Sequence, residues 1–201
     1  MERTLIKDLR GKLEQTVKIQ GWLQTLRDQK KIQFLILRDA TGLVQVAHWK
    51  PNDEDLAARI ANLGTESALT ITGKVIDNPV VKLNQLEVQL ESLEVENAAD
   101  SPLPFDPFAE TLPALDYRLD WRYMDLRRAF NFNLFQVQTT VEMAMREYWL
   151  QHGFLEVHSP KLTGSPSESG AELFSLDYFE RKAYLAQSPQ FYKQMAMAAG
   201  F

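Results

Sequence analysis

The chain has 201 residues, 45% hydrophobic and 24% charged, with no cysteine and a net charge of −5. That length supports one or two domains with a buried core. The lack of cysteine excludes a disulfide scaffold and thiolate metal sites, and fits an intracellular protein. The opening MERTLIKDLR carries charges where a signal peptide needs an apolar run. No apolar stretch approaches the roughly 18 residues of a membrane span; a soluble, cytoplasmic protein is expected.

Charge is unevenly spread. Residues 1–32 hold eight Lys or Arg against four acids, a local +4 that leaves −9 for the remainder. A local basic surface can hold phosphates on an acidic protein. On charge alone, ordinary solvated surface is the simpler reading.

From Thr16 the pattern alternates as in a strand. Val17–Leu23 and Ile32–Asp39 read as the first two strands, Asp39-Ala40-Thr41-Gly42 as a turn, and Leu43–Ala47 as a third strand. Residues 53–63 have helical spacing, with Asp53 and Glu54 suited to the N-terminus. Ala68–Val75 and Leu86–Val95 complete five short strands with a helix between the third and fourth, the plan of an oligonucleotide-binding (OB-fold) β-barrel over residues 1–97. The stretch 98–116, with Pro102, Pro104 and Pro107 closely spaced, rejects helix and central strand and reads as a linker.

After the linker, residues 117–128 are dense in arginine and aromatics. Residues 130–151 read as a long amphipathic helix, with Phe135, Val137, Val141, Met145, Tyr148 and Trp149 largely on one stripe. Gly153 sits where a C-cap belongs. Phe154–His158 is strand-like, and Pro160 ends it. Residues 117–201 thus begin an α+β domain.

On barrels of this kind, the face of the early strands holds single-stranded nucleic acid by stacking bases on aromatic rings, with polar neighbours reading base edges. Arg27, Phe34 and Gln45 fall there. Alternation sets Ile32, Phe34 and Ile36 on one face of the second strand and Gln33, Leu35 and Leu37 on the other, so both faces are partly apolar. The pattern by itself favours Phe34 in the core. Ser188-Pro189 suits the cap and first residue of a helix on which Gln190 and Lys193, three apart, share a face. Ser165–Phe174 is a small-residue segment that composition reads as a surface loop. His48, His152 and His158 lack metal-ligand spacing.

Gly21-Trp22, Arg27, Phe34, Arg38-Asp39, Gly42 and Val44-Gln45-Val46, together with Gly153–Leu162 and Gln187–Gln194, resemble the aspartyl-tRNA synthetases of class II. The segment from Tyr178 to Gln187 is more similar to the archaeal and eukaryotic type. The resemblance covers essentially the whole chain. It implies an anticodon-binding barrel in which Phe34 stacks on the central uracil, Gln45 and Glu87 read bases, and Arg27 lies on the same face. It further implies the beginning of a class II catalytic domain, an antiparallel sheet with flanking helices. The segment ending at Pro160, with Phe154, corresponds to motif 1, which builds the interface of a homodimer.

By the same resemblance, Glu168 on the 165–174 loop recognises the aspartate ammonium group, and Ser188, Gln190 and Lys193 hold the amino acid. Many relatives carry glycine where this chain has Ser169. Asparaginyl enzymes usually show glycine in place of Pro189 and lack the lysine. A lysine at such a site discriminates by charge, because neutral asparagine would leave its ammonium unpaired.

The implied reaction makes aspartyl-adenylate from aspartate and ATP with Mg2+ and transfers aspartate to tRNA(Asp). The ATP-holding motifs 2 and 3 are expected beyond Phe201, so no catalytic residue is assigned and residues 1–201 are not expected to activate aspartate alone. The alternatives are a free-standing anticodon-binding protein and an asparaginyl-tRNA synthetase.

Overall fold

The computed structural model describes residues 1–165 and 173–201, and the chain divides into two compact units, Met1–Pro113 and Ala114–Phe201. The first is a closed barrel of five strands: β1 (Thr16–Asp28), β2 (Ile32–Asp39), β3 (Gly42–Trp49), β4 (Ala68–Asp77) and β5 (Leu86–Asn97). Their order around the barrel is β1-β2-β3-β5-β4, with β3 and β5 parallel and the other pairs antiparallel. Strand β1 runs five residues beyond the expected Leu23, because its two halves serve different partners. Thr16–Trp22 pair with β4 and Trp22–Asp28 with β2. A bulge at Gln24, between the pairs Leu23–Leu37 and Thr25–Ile36, makes the bend.

Close backbone approach fixes two glycines in the barrel wall. A Cβ on Gly21 would lie 2.2 Å from the Arg38 carbonyl oxygen, and one on Gly73 would lie 2.3 Å from that of Gln89. Only glycine fits such a passage without moving a strand.

The barrel is filled by Val17, Ile19, Leu23, Leu35, Leu37, Val44, Val46, Leu69, Ile71, Val75 and Val88, all at most 3% exposed. A 3-10 turn over Ile6–Lys12, which the sequence pattern does not announce, packs Ile6 and Leu9 into this core. Asp39 ties it down: Oδ1 accepts from Thr41 N–H, the Thr41 hydroxyl and Gly42 N–H, closing the β2–β3 turn, while Oδ2 accepts from Ile6 N–H at 2.9 Å.

Helix α1 (Glu54–Ala61) also packs into the core, through Leu56 and Ile60. It is capped by Asp53, whose carboxylate accepts from Leu56 N–H at 2.8 Å. The fully buried Gln33 amide donates to the Ala57 carbonyl at 2.9 Å and pins this helix. Among the described residues no helix is long and apolar enough to cross a membrane.

The stretch 98–113 carries no helix or strand and is tied to the barrel. Ala99 N–H donates to Ser67 Oγ at 3.0 Å, and Phe105 is buried. The Phe108 ring lies 4.5 Å from the guanidinium carbon of Arg38. Arg38 in turn grips Glu66 with two hydrogen bonds of 2.9 and 2.8 Å.

The second unit holds α2 (Leu115–Asp120), α3 (Arg122–Asp125), α4 (Ala129–Gln151), β6 (Leu162–Thr163), β7 (Ser175–Tyr178), β8 (Arg181–Leu185) and α5 (Gln190–Ala198). Strands β6, β8 and β7 form an antiparallel sheet in that order. The fully buried Asp125 carboxylate gathers Arg118, Arg122, Arg128 and Asn131, so the charges of the 117–128 segment are used largely in packing.

Gly153, at φ +81, ends α4 as expected. Its N–H donates to Leu150 O at 3.1 Å and Phe154 N–H to Trp149 O at 3.0 Å, the paired bonds of a Schellman stop. The Phe154 ring meets Trp149 edge-on at 4.8 Å. The expected strand over 154–158 is not formed. A strand needs a neighbour to take its backbone bonds, and among the described residues none pairs with this segment.

Candidate functional site

The register of β1, β2, β3 and β5 builds one surface on the outside of the barrel. Gln33, Leu35 and Leu37 point inward at 0% exposure, so alternation turns Phe34 outward, where it is half-buried. The core position favoured by the pattern is thereby corrected. The ambiguity arose because the inward face admits a glutamine whose amide holds α1.

Cross-strand partners set the outward residues in rows. One row is Thr25, Ile36, Gln45 and Glu87; the next is Arg27, Phe34, Ala47 and Gln89; the third pairs Ile32 with Trp49. Arg27 is thus the direct neighbour of Phe34, and Gln45 the direct neighbour of Glu87. All four residues expected in the nucleic-acid site occupy two adjacent rows.

Gln45 Nε2 donates to Glu87 Oε2 at 2.7 Å. An ionised carboxylate only accepts, so the amide must turn its nitrogen to Glu87 and keep its oxygen as an acceptor. Glu87 is 8% exposed and retains a second carboxylate oxygen. The pair therefore presents acceptors, which suit the N–H groups on base edges, beside an aromatic ring that suits a base face. Arg27 is exposed and adds a cation at the edge. Trp49 belongs to the same surface but is absent from the residues singled out above. The step of two from Gln45 through Ala47 to Trp49 is the signal that finds it.

In the second unit, helix α5 begins at Gln190, one residue later than expected. Pro189 is its cap residue, and Ser188 Oγ accepts from Gln190 N–H at 3.2 Å. Gln190 and Lys193 share α5 at a spacing of three and are both exposed. Ser188 lies just after β8, in the turn that leads into the helix. Glu168 and Ser169 lie outside the described residues. Phe154 and Pro160 are exposed, as are Phe135, Val141, Met145 and Trp149 of α4; only Asn131 of that helix is buried. The apolar residues expected on one stripe of α4 are uncovered among the described residues, but Phe132, Met143 and Leu150 on the opposite side are exposed too, so the helix is apolar on more than one face.

The carboxyl of Asp125 is driven up by burial, but hydrogen bonds from Arg118, Arg128 and Asn131 outweigh that and hold it below the ordinary carboxylate range. Among the described residues no group of three or more His, Cys, Asp or Glu side chains is arranged to hold a metal ion. His48 is buried, with Nε2 3.2 Å from the Asp53 carbonyl oxygen.

Comparison with known proteins agrees with this division. Residues 17–96 match the OB-fold nucleic acid binding domain, and residues 114–201 match the class II tRNA synthetases of the D, K and N group. An aspartate–tRNA(Asp) ligase from Pyrococcus horikoshii is 43% identical over 197 residues, covering 98% of this chain and 44% of the relative. An aspartate–tRNA(Asp/Asn) ligase from Methanocaldococcus jannaschii is 45% identical over 188 residues, covering 92% of this chain and 42% of the relative. Among solved structures, an asparaginyl-tRNA synthetase from Pyrococcus horikoshii complexed with asparaginyl-adenylate superposes with a TM-score of 0.87 at 31% identity, over 98% of this chain and 45% of that one. The chain thus spans less than half the length of the relatives it matches. It joins a closed barrel that matches the OB-fold nucleic acid binding domain to a second unit, residues 114–201, that matches the class II tRNA synthetases of the D, K and N group.

Proposed function

We propose that this chain is the anticodon-binding and amino-acid-recognising part of an aspartate–tRNA ligase. Its partners would be tRNA(Asp) and aspartate, and the complete enzyme would act as a cytoplasmic homodimer. The observation that carries the reading is the outer face of the barrel, where Arg27 adjoins Phe34 and Gln45 is bonded to Glu87 in the neighbouring row. Acceptors held beside a half-exposed ring suit the unstacked bases of an RNA loop, which are read by stacking and by edge hydrogen bonds. Each base of the aspartate anticodon carries an N–H donor on its edge.

Residue Glu168, with Ser188, Gln190 and Lys193, would take the amino acid. Lys193 supplies the cation for a side-chain carboxylate, and Pro189 with Lys193 favours aspartate over asparagine. That the relatives from Pyrococcus horikoshii and Methanocaldococcus jannaschii are aspartate ligases supports this choice, although solved neighbours include an asparaginyl enzyme. ATP with Mg2+ would supply the activation of the carboxylate in the complete enzyme. Among the described residues no cluster of His, Cys, Asp or Glu side chains is fit to hold the metal. Phe154, whose ring meets Trp149 of α4, and the exposed Pro160 would meet a second copy in the homodimer.

The test is Phe34→Ala binding to an RNA stem-loop carrying the aspartate anticodon. Affinity should fall by about 1–3 kcal/mol, the worth of one stacked base. Equal affinity for wild type and variant would remove the anticodon reading.

A further inference from the structure

We propose that Trp49 is a second stacking platform, which takes the nucleotide next to the one held on Phe34. The inference rests on the reading of the barrel face as an RNA-loop site and extends it by one nucleotide. Trp49 closes β3 on the same outward face as Gln45 and Ala47, opposite Ile32, and remains 45% exposed. Ala47, the partner of Phe34, is small, so no large side chain on β3 stands between the two rings.

Rows of outward residues along a strand are spaced by two residues, about 6.6 Å. That is about twice the roughly 3.4 Å rise per nucleotide along the axis of a stacked duplex strand. Two successive bases reaching both rings are therefore pulled apart, one to each ring, as in the splayed loops that RNA-binding proteins read.

The surroundings of Trp49 suit a nucleotide's phosphate. Lys50 N–H donates to the Lys31 carbonyl at 3.0 Å, which brings the β1–β2 hairpin tip beside the end of β3. Lys30 and Lys31 are exposed on that tip, and the Lys50 ammonium is paired with Asp28. The platform thus has an aromatic floor, a basic rim and direct continuity with the Phe34, Gln45 and Glu87 surface. A protein partner would find the same ring but would have no use for two separate flat platforms set apart for splayed bases.

The test uses the full chain and a fluorescently labelled RNA stem-loop carrying the aspartate anticodon, with binding followed by anisotropy. Trp49→Ala should weaken binding roughly 5- to 150-fold, the range for one stacked base. Trp49→Phe should recover most of it, with unchanged melting temperatures for both variants. With RNA made abasic at one neighbour of the central anticodon base, Trp49→Ala should cause no further loss.

If Phe34→Ala weakens binding while Trp49→Ala does not, this inference falls and the anticodon site stands. A Trp49→Ala loss that persists in full whichever neighbour is abasic overturns it too, since the ring then acts on something other than a base. If the wild-type chain does not bind the stem-loop, or Phe34→Ala has no effect, the underlying reading fails and the second platform with it.

Discussion

Gln45 on β3 and Glu87 on β5 are direct partners across the parallel pair of the barrel, and the amide donates to the carboxylate at 2.7 Å. The bond fixes which end of the amide faces a ligand. Glu87→Gln replaces an obligate acceptor with a group that can turn either way. RNA binding should weaken about tenfold or more, because hydrogen bonds to charged groups contribute about 1.5–3 kcal/mol. Preference among loops with single-base changes in the anticodon should relax at the same time. Anisotropy titrations against that set of loops measure both effects. An unchanged preference would mean that Glu87 only braces the barrel.

The Lys193 ammonium is the cation proposed for the aspartate side chain. On the proposed function, Lys193→Met in the complete protein should lower kcat/KM for aspartate activation about 10- to 100-fold, mostly through KM. The ratio of aspartate to asparagine use should fall with it. A variant that loses activity for both amino acids alike would place Lys193 outside the recognition step.

Asp125 makes the second unit sensitive to acid. Its carboxyl is held below the ordinary range in the folded chain, so protons bind more readily to the unfolded one. The associated stability is fully present above the unfolded value, about 3.9. It is lost as pH falls below that value and through the lowered folded one. Asp125→Asn should remove this contribution together with the ion pairs to Arg118, Arg122 and Arg128, and destabilise the unit at neutral pH by about 3–5 kcal/mol. Urea melts of wild type and variant between pH 3 and pH 7 should converge toward the acid end.

Gly73→Ala should cost about 1–3 kcal/mol, since the new methyl meets the Gln89 carbonyl oxygen at 2.3 Å and a Val88 methyl at 2.8 Å. Gly11→Ala, where nothing lies within 4 Å, is the control and should be close to neutral. Thermal melts of the two variants read the difference directly.

The barrel was legible because its strands alternate and are separated by strong turn residues such as Asp39 and Gly42. The phase of β2 was not, since Ile32, Phe34 and Ile36 are as apolar as the residues that face inward. What decides it is Gln33, a polar residue drawn into the core by the Ala57 carbonyl, and that bond joins residues 24 apart. The 3-10 turn over Ile6–Lys12 is too short to show a helical period, and it is held by a side chain from another strand. The 154–158 segment has strand-like composition, but composition cannot supply a pairing neighbour. In the proposed RNA site, the early strands of the barrel pointed to Arg27, Phe34 and Gln45, the resemblance added Glu87, and the arrangement in rows required the register. Gln190 and Lys193 could be set on one helix from their spacing, whereas the start of that helix shifted by a residue because Pro189 stands just before it.

The two oxygens of Asp39 serve partners at very different distances along the chain. Oδ1 closes a turn of neighbours, whereas Oδ2 reaches Ile6, 33 residues away. Closing a long loop costs more entropy than closing a short one, so the bond to Ile6 is the harder of the two to form. In the folded protein the same asymmetry runs in reverse. The amide of Ile6 should exchange with solvent deuterium sooner than that of Gly42, making residues 1–12 the first part of the barrel unit to open and the last to close.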